Sequence, residues 1–265
     1  MINDDSDRPL GLHYGRLERW DDDRPLGVSF EDLAGYKDPN WKLEKSRPEQ
    51  TKVSRYYDLS RFSNIWAELH NGATPRIGAS FIKDNLDSYY EGGSRVYHGV
   101  FHIDQGLEEF DQVRHLSEHP EELTIAWYLH DAMYDTRKKD NEEQSAELAR
   151  LMMSKSRVPE DKIQRVLRII QITDHKTPPK NIDEKLAVDI DLSIFGQSKE
   201  KYDWYSEGIR KEYFWVPKEQ FKQGRKLVLQ TFLDRNRIYY TDYFKNKYES
   251  QARINLESEI KSLSV

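Results

Sequence analysis

The chain has 265 residues, of which 37% are hydrophobic and 33% charged, with a formal net charge of −6 and no cysteine. That length holds one large domain, or a domain with an extension. The acidic balance argues against a general nucleic-acid coat, and the lack of cysteine excludes disulfides and thiolate chemistry.

Residues 1–60 differ from the rest of the chain. They hold four of the ten prolines, an Asp-Asp-Asp run at 21–23 and no sustained helical periodicity. An irregular N-terminal arm is expected there, with Trp20, Trp41 and Tyr56–Tyr57 as its packing residues. Its opening, MINDDSDRPLG, is acidic and lacks the apolar stretch of a secretory signal, so a cytoplasmic protein is expected.

From Arg61 to the C-terminus the pattern is helical, and the fold class expected for 61–265 is an all-α bundle. RFSNIWAEL sets Phe62, Ile65, Trp66 and Leu69 on one face, and SFIKDNLDSYYEGG ends in a glycine pair suited to a helix stop. HGVFHIDQGLEEFDQVRHL carries a stripe of Val100, Ile103, Leu107, Phe110 and Val113. Pro120 sits where a first-turn proline opens the next helix, LTIAWYLHDAMYD at 123–135. Helices are expected in NEEQSAELARLMMSK, with Asn141 as its cap, and in PEDKIQRVLRIIQIT and NIDEKLAVDIDLSIFG. The last third supplies KEKYDWYSEGIRKEYF, PKEQFKQGRKLVLQTFLDR and a long final helix from about Thr241. The apolar run IAWYL is far short of the roughly 20 residues needed to span a bilayer, so no membrane partner is expected.

The segment 123–135 poses the functional question, because ionisable His130 and Asp131 sit in a stretch apolar enough for a core helix. Burying them is expensive unless they are paired or bound. If the helix continues to 135, Asp131 and Asp135 share a face. Imidazole nitrogen and carboxylate oxygen are the mixed donors that Mn, Fe, Co, Ni or Zn accept. Further ligands are needed, and His98 with Asp189 or Asp191 are the candidates; His98 and His102 stand four apart. His13, His70, His115 and His119 have no partner pattern and are expected on the surface.

The order His98, His130–Asp131, Asp191 resembles the HD superfamily of metal-dependent phosphohydrolases. SRVYHGVFHI, WYLHDAMYD, DNEEQSA, IQITDHK and DIDLSIFG look like its bacterial branch of predicted metal-dependent phosphohydrolases, as do GIRKEYFWVP, GRKLVLQTFLDRNRIYYT and ARINLESEI. The similarity runs from about Phe62 to the C-terminus and leaves out the arm.

The resemblance implies an HD-type helical domain in which His98, His130, Asp131 and Asp191 hold one divalent metal, with Asp189 as the fallback for Asp191. The ion would be Mn, Co, Ni, Fe, Mg or Zn. It implies catalytic roles for Asp135, which orients the nucleophilic water, and for His102, which touches a phosphate or orders a water. Tyr134 stands where some HD hydrolases carry Glu, which leaves the general base open. Arg210 and Arg225 are the candidate phosphate ligands, with Lys176, His175 and Glu142 as further substrate-side residues. The plainer alternatives are a salt bridge for either arginine and a helix C-terminus for His175; for Glu142 the resemblance implies a buttress to the site, against a structural role at the start of its helix. The implied activity is hydrolysis of a phosphate ester or anhydride in a small phosphorylated compound, a nucleotide foremost. A di-iron oxygenase and a non-catalytic nucleotide-sensing module are the alternatives.

Overall fold

The structure, a computed structural model, describes residues 57–90 and 95–264, leaving aside the side chain of Phe81. The expected arm therefore lies outside the described residues, except for its last four. Every element among the described residues is helical, and no strand occurs among them.

Helix α1, Leu59–Leu69, begins where the Asp58 carboxylate accepts a hydrogen bond from the Arg61 amide at 2.7 Å. That satisfies one of the N–H groups a helix start leaves orphaned. Its buried face is Phe62, Ile65, Trp66 and Leu69. Full burial of such side chains contributes about 1.5–3 kcal/mol each. α2, Ala79–Tyr90, packs on α1.

α3, Val100–Val113, starts behind Gly99 and runs into a 3-10 turn at Arg114–Leu116. His98 thus precedes the helix instead of opening it. α4, Pro120–Leu129, is buried at every position from Glu122 to Leu129. A helix buried all round belongs at the centre of a bundle, and α4 packs on α1, α3, α5, α6 and α7. It meets α3 at Gly106, where a Cβ would lie 2.0 Å from the Trp127 ring. Only glycine leaves room for that indole, whose Nε1 donates to the Ile103 carbonyl at 3.0 Å.

α4 ends earlier than expected, at Leu129, and 130–135 form a turn. The His130 Nδ1 reaches back to the Trp127 carbonyl at 2.8 Å, and the Arg95 guanidinium takes the Asp131 and Ala132 carbonyls at 2.5 and 2.7 Å. These donors satisfy backbone oxygens near the C-terminus that helix continuation would otherwise have to fill.

α5, Asn141–Lys155, and α6, Glu160–Ile172, pack against each other. Asn141 is the first helical residue rather than the cap; its side chain exchanges two 3.1 Å hydrogen bonds with the Asp135 backbone and so fixes the preceding turn. His70 is buried, not on the surface: Nδ1 lies 2.7 Å from the Trp66 carbonyl and Nε2 3.0 Å from the Ser156 carbonyl. His115 is exposed, and His119 is partly exposed beside Glu122 at 3.3 Å; His13 lies outside the described residues.

α7, Ile182–Asp191, is capped by Asn181, which accepts from the Glu184 amide at 2.9 Å, and passes into a 3-10 turn at Leu192–Gly196. α8, Lys199–Glu212, α9, Lys218–Leu233, and α10, Asp242–Ser262, complete the chain. α10 lies on the 192–196 turn, where a Cβ at Gly196 would come within 2.3 Å of Tyr248. No described helix is long and apolar enough to cross a membrane.

Candidate metal centre

Three elements converge at one point: the first turn of α3, the turn after α4, and the C-terminal end of α7. α3 contributes His102, buried against Trp127 and Tyr97. The turn contributes His130 and Asp131, with the His130 ring stacked on Trp127 at 4.3 Å. α7 contributes Asp191, its last residue.

The His102 and His130 Nε2 atoms are 3.1 Å apart. The His130 Nδ1 must donate to the Trp127 carbonyl, since a carbonyl only accepts, so the neutral ring points an Nε2 lone pair at His102. His102 Nδ1 lies 3.2 Å from the Tyr97 hydroxyl, which leaves its Nε2 as the inward atom. Asp131 Oδ2 is 3.2 Å from His130 Nε2 and 3.5 Å from His102 Nε2, and Asp191 Oδ1 is 3.3 Å from His102 Nε2. Either a hydrogen on His102 Nε2, donated into this cluster, or a cation shared by the four groups satisfies atoms this close. Donors about 2.0–2.2 Å from a shared ion sit roughly 3–3.5 Å from each other, the spacing found here.

Electrostatics agree. Burial opposes charge on His130, but the Asp131 carboxylate outweighs it and raises the imidazole to about 9. Burial likewise works against ionised Asp131 and Asp191, yet the adjacent imidazoles hold both carboxyls well below the usual range. His102 is lowered, chiefly by burial.

Around this cluster lies a shell of orienting groups. His175, in the left-handed region with φ +57°, places Nε2 2.8 Å from Asp191 Oδ2. It therefore holds the α7 carboxylate, a contact that Asp191 shares with His102. Asp189 faces away and accepts three hydrogen bonds, at 2.6–2.7 Å, from the Tyr240 and Thr241 amides and the Thr241 hydroxyl at the start of α10.

His98, assigned to the metal from the sequence order, takes a different position. Its Nδ1 is 2.7 Å from Glu212 Oε2, its ring stacks on Tyr134 at 4.3 Å, and its ring centre is 5.7 Å from that of His102. His102 completes the triad with His130 and Asp131, while His98, ahead of α3, is held at Nδ1 by Glu212 on α8 and still feels the charges of Asp131 and Asp191. Glu212 was not foreseen as a site residue. Its Oε1 accepts from the Val96, Tyr97 and His98 amides at 2.7–2.9 Å, and its Oε2 also accepts from the Tyr134 hydroxyl at 2.9 Å. Burial pushes this carboxyl up, but His98 outweighs burial and lowers it, while Glu212 in turn raises His98 against its own burial.

Other expected site residues are distributed as follows. Asp135 lies in the turn, with Oδ1 accepting from the Arg137 amide at 2.9 Å, and does not share a helix face with Asp131. Arg210 donates to the Tyr213 and Val216 carbonyls at 3.0 Å each and fastens the α8–α9 loop. Arg225 is buried in a bidentate pair with Glu259 at 2.9 and 3.2 Å, with Tyr205 as a third partner. Arg225 thus forms the salt bridge of its plainer alternative, whereas Arg210 is held by backbone carbonyls and pairs with no carboxylate among the described residues. Glu142, in the first turn of α5, is raised by burial and is near enough to Asp131, Lys176 and Asp174 to feel their charges. Arg95, also unforeseen, ties the His98 carbonyl to those of Asp131 and Ala132 and so joins the two halves of the site.

Fold and site together define an all-helical protein with a buried His102–His130–Asp131 triad able to coordinate a metal ion. Comparisons with protein-family models, with curated proteins and with solved structures returned no match.

Proposed function

We propose that the chain is a divalent-metal-dependent phosphohydrolase of the HD type, acting on a small phosphorylated compound, foremost a nucleotide. The observation that carries this reading is the 3.1 Å approach of two imidazole nitrogens beside the Asp131 and Asp191 carboxylates. The ligand set is His102, His130, Asp131 and Asp191, with His102 in place of His98. Two nitrogens and two carboxylate oxygens suit Mn, Fe, Co, Ni or Zn. A bound divalent ion supplies a water of lowered pKa and polarises a phosphoryl oxygen.

The chain's own residues do the rest. Trp127 and Tyr97 engage the outer nitrogens of His130 and His102 and so fix which atoms face inward. His175 orients Asp191. Glu142, in the first turn of α5 and near enough to Asp131 to feel its charge, is the carboxylate that would accept a proton from the attacking water. His98, with Nδ1 held by Glu212, offers Nε2 as a donor to a phosphoryl or leaving-group oxygen.

The test is metal analysis of the purified protein and of single alanine variants at His98, His102, His130 and Asp131. It is paired with a phosphate-release screen over nucleotides and phosphomonoesters with Mn, Co, Ni, Mg and Zn. Loss of the ion in the His102, His130 and Asp131 variants, but not the His98 variant, is expected. A protein that binds no ion and turns over no phosphate compound would overturn the reading.

A further inference from the structure

Next to the metal centre, on the far side of His175, lies an open groove of about 350 Å³. Its lining includes Lys176, Arg235 and Arg237, together with Thr177 and Tyr240, and no carboxylate lines it among the described residues. In a chain of net charge −6 this concentration of cations is a departure from the mean.

The three cations are not equivalent. Arg237 is engaged by the Tyr239 and Tyr240 carbonyls at 2.5 and 2.7 Å and by Asp242 at 3.3 Å. Lys176 pairs with Asp174 at 3.3 Å from an exposed position, so it can be recruited by a ligand. Arg235 pairs with no carboxylate among the described residues. Its guanidinium lies over the Phe232 ring at 4.6 Å and makes one long contact, 3.5 Å, to the His175 carbonyl. It is positioned but not neutralised, with donors left for a ligand.

His175 joins this groove to the metal site. One residue, held in the left-handed conformation, turns its imidazole to Asp191 and its carbonyl to Arg235. Such a backbone conformation in a non-glycine residue is strained and persists only where its surroundings enforce it. Phe232 packs edge-on against the same imidazole at 5.8 Å, so arginine and ligand-holding histidine share one support.

We propose that this groove is an anion subsite in which Arg235 and Lys176 bind a second phosphoryl group of the substrate, beyond the one that reacts. This rests on the phosphohydrolase reading and narrows it to compounds with at least two phosphoryl groups, such as nucleoside polyphosphates. A guanidinium fork and an ammonium match the oxygens of such a group, and this groove offers them with no carboxylate in its lining among the described residues.

The experiment is calorimetric titration of inorganic pyrophosphate into the full chain, as purified and after chelation, for wild type, Arg235→Gln and Lys176→Gln. Removing charge-assisted hydrogen bonds is expected to weaken binding about tenfold for Arg235→Gln. Lys176, being exposed, tests the same surface without endangering the fold, and a smaller loss is expected there. Pyrophosphate affinity equal in all three proteins, or no binding by chelated wild type, overturns the subsite and leaves the metal reading untouched. Arginine-dependent binding by a protein that holds no metal leaves the anion site standing while the hydrolase reading falls. On turnover, the kcat/KM ratio of nucleoside diphosphate to monophosphate drops about tenfold in Arg235→Gln; an unchanged ratio overturns the role in substrate choice.

Discussion

Replacing Glu212 with glutamine isolates the group that anchors residues 96–98, just ahead of α3. In the wild type this buried carboxylate accepts three backbone N–H groups, the His98 imidazole and the Tyr134 hydroxyl. Glutamine keeps one oxygen for the amides but removes their charge assistance, and turns an N–H towards His98. Hydrogen bonds to a charged group contribute about 1.5–3 kcal/mol, against about 0.5–1.5 for neutral ones. Several weakened bonds, partly relaxed, put the loss near 2–4 kcal/mol.

The sign with pH follows from the two directions of shift. Glu212 is lowered from its ordinary 4.5, so its share of stability is present above that value and is lost as pH falls through the depressed one. His98 is raised from its ordinary 6.5, so its share is complete below that value and is lost as pH rises through the raised one. The wild-type advantage over Glu212→Gln is therefore greatest between pH 4.5 and 6.5 and declines on the alkaline side. Urea unfolding of both proteins across pH 4 to 9 reads this directly. A difference below about 0.5 kcal/mol throughout, or one that grows steadily above pH 7, would refute the account.

Other perturbations separate structural from ligand roles. Gly106→Ala sets a methyl 2.0–2.5 Å from three Trp127 ring atoms; a loss of about 1–3 kcal/mol in urea unfolding is expected, with weaker metal binding because Trp127 carries the His130 ring. Asp189→Ala removes the acceptor for three donors at the start of α10 and lowers stability by about 2–3 kcal/mol. It retains bound metal on elemental analysis, whereas Asp191→Ala loses it. Glu259→Gln strips the buried Arg225 guanidinium of its charged partner; a fall of about 3–5 kcal/mol in denaturant midpoint analysis is expected, with metal content unchanged.

Much of the bundle was legible in the chain because amphipathic periodicity is local. The stripe Phe62, Ile65, Trp66, Leu69 is the buried face of α1, and Pro120 lies in the first turn of α4. The adjacent His130 and Asp131 were conspicuous for a comparable reason, being ionisable residues in an apolar run. What local pattern could not give was the end of α4 at Leu129, which depends on Arg95 reaching the turn from 36 residues away. The cap expected at Asn141 failed likewise, since its amide found the Asp135 backbone first.

The sequence by itself determined an all-helical chain with imidazoles and carboxylates set into apolar surroundings. Only the tertiary structure decided between neighbours of the same type. His102 and His98 are four residues apart, yet one faces His130 and the other is taken by Glu212, 114 residues further on. Asp191 and Asp189 lie two apart, yet one meets the histidines while the other holds the start of α10. Spacing along a helix specifies which residues share a face; what that face meets depends on packing between distant segments, and there the competition for each donor and acceptor is resolved.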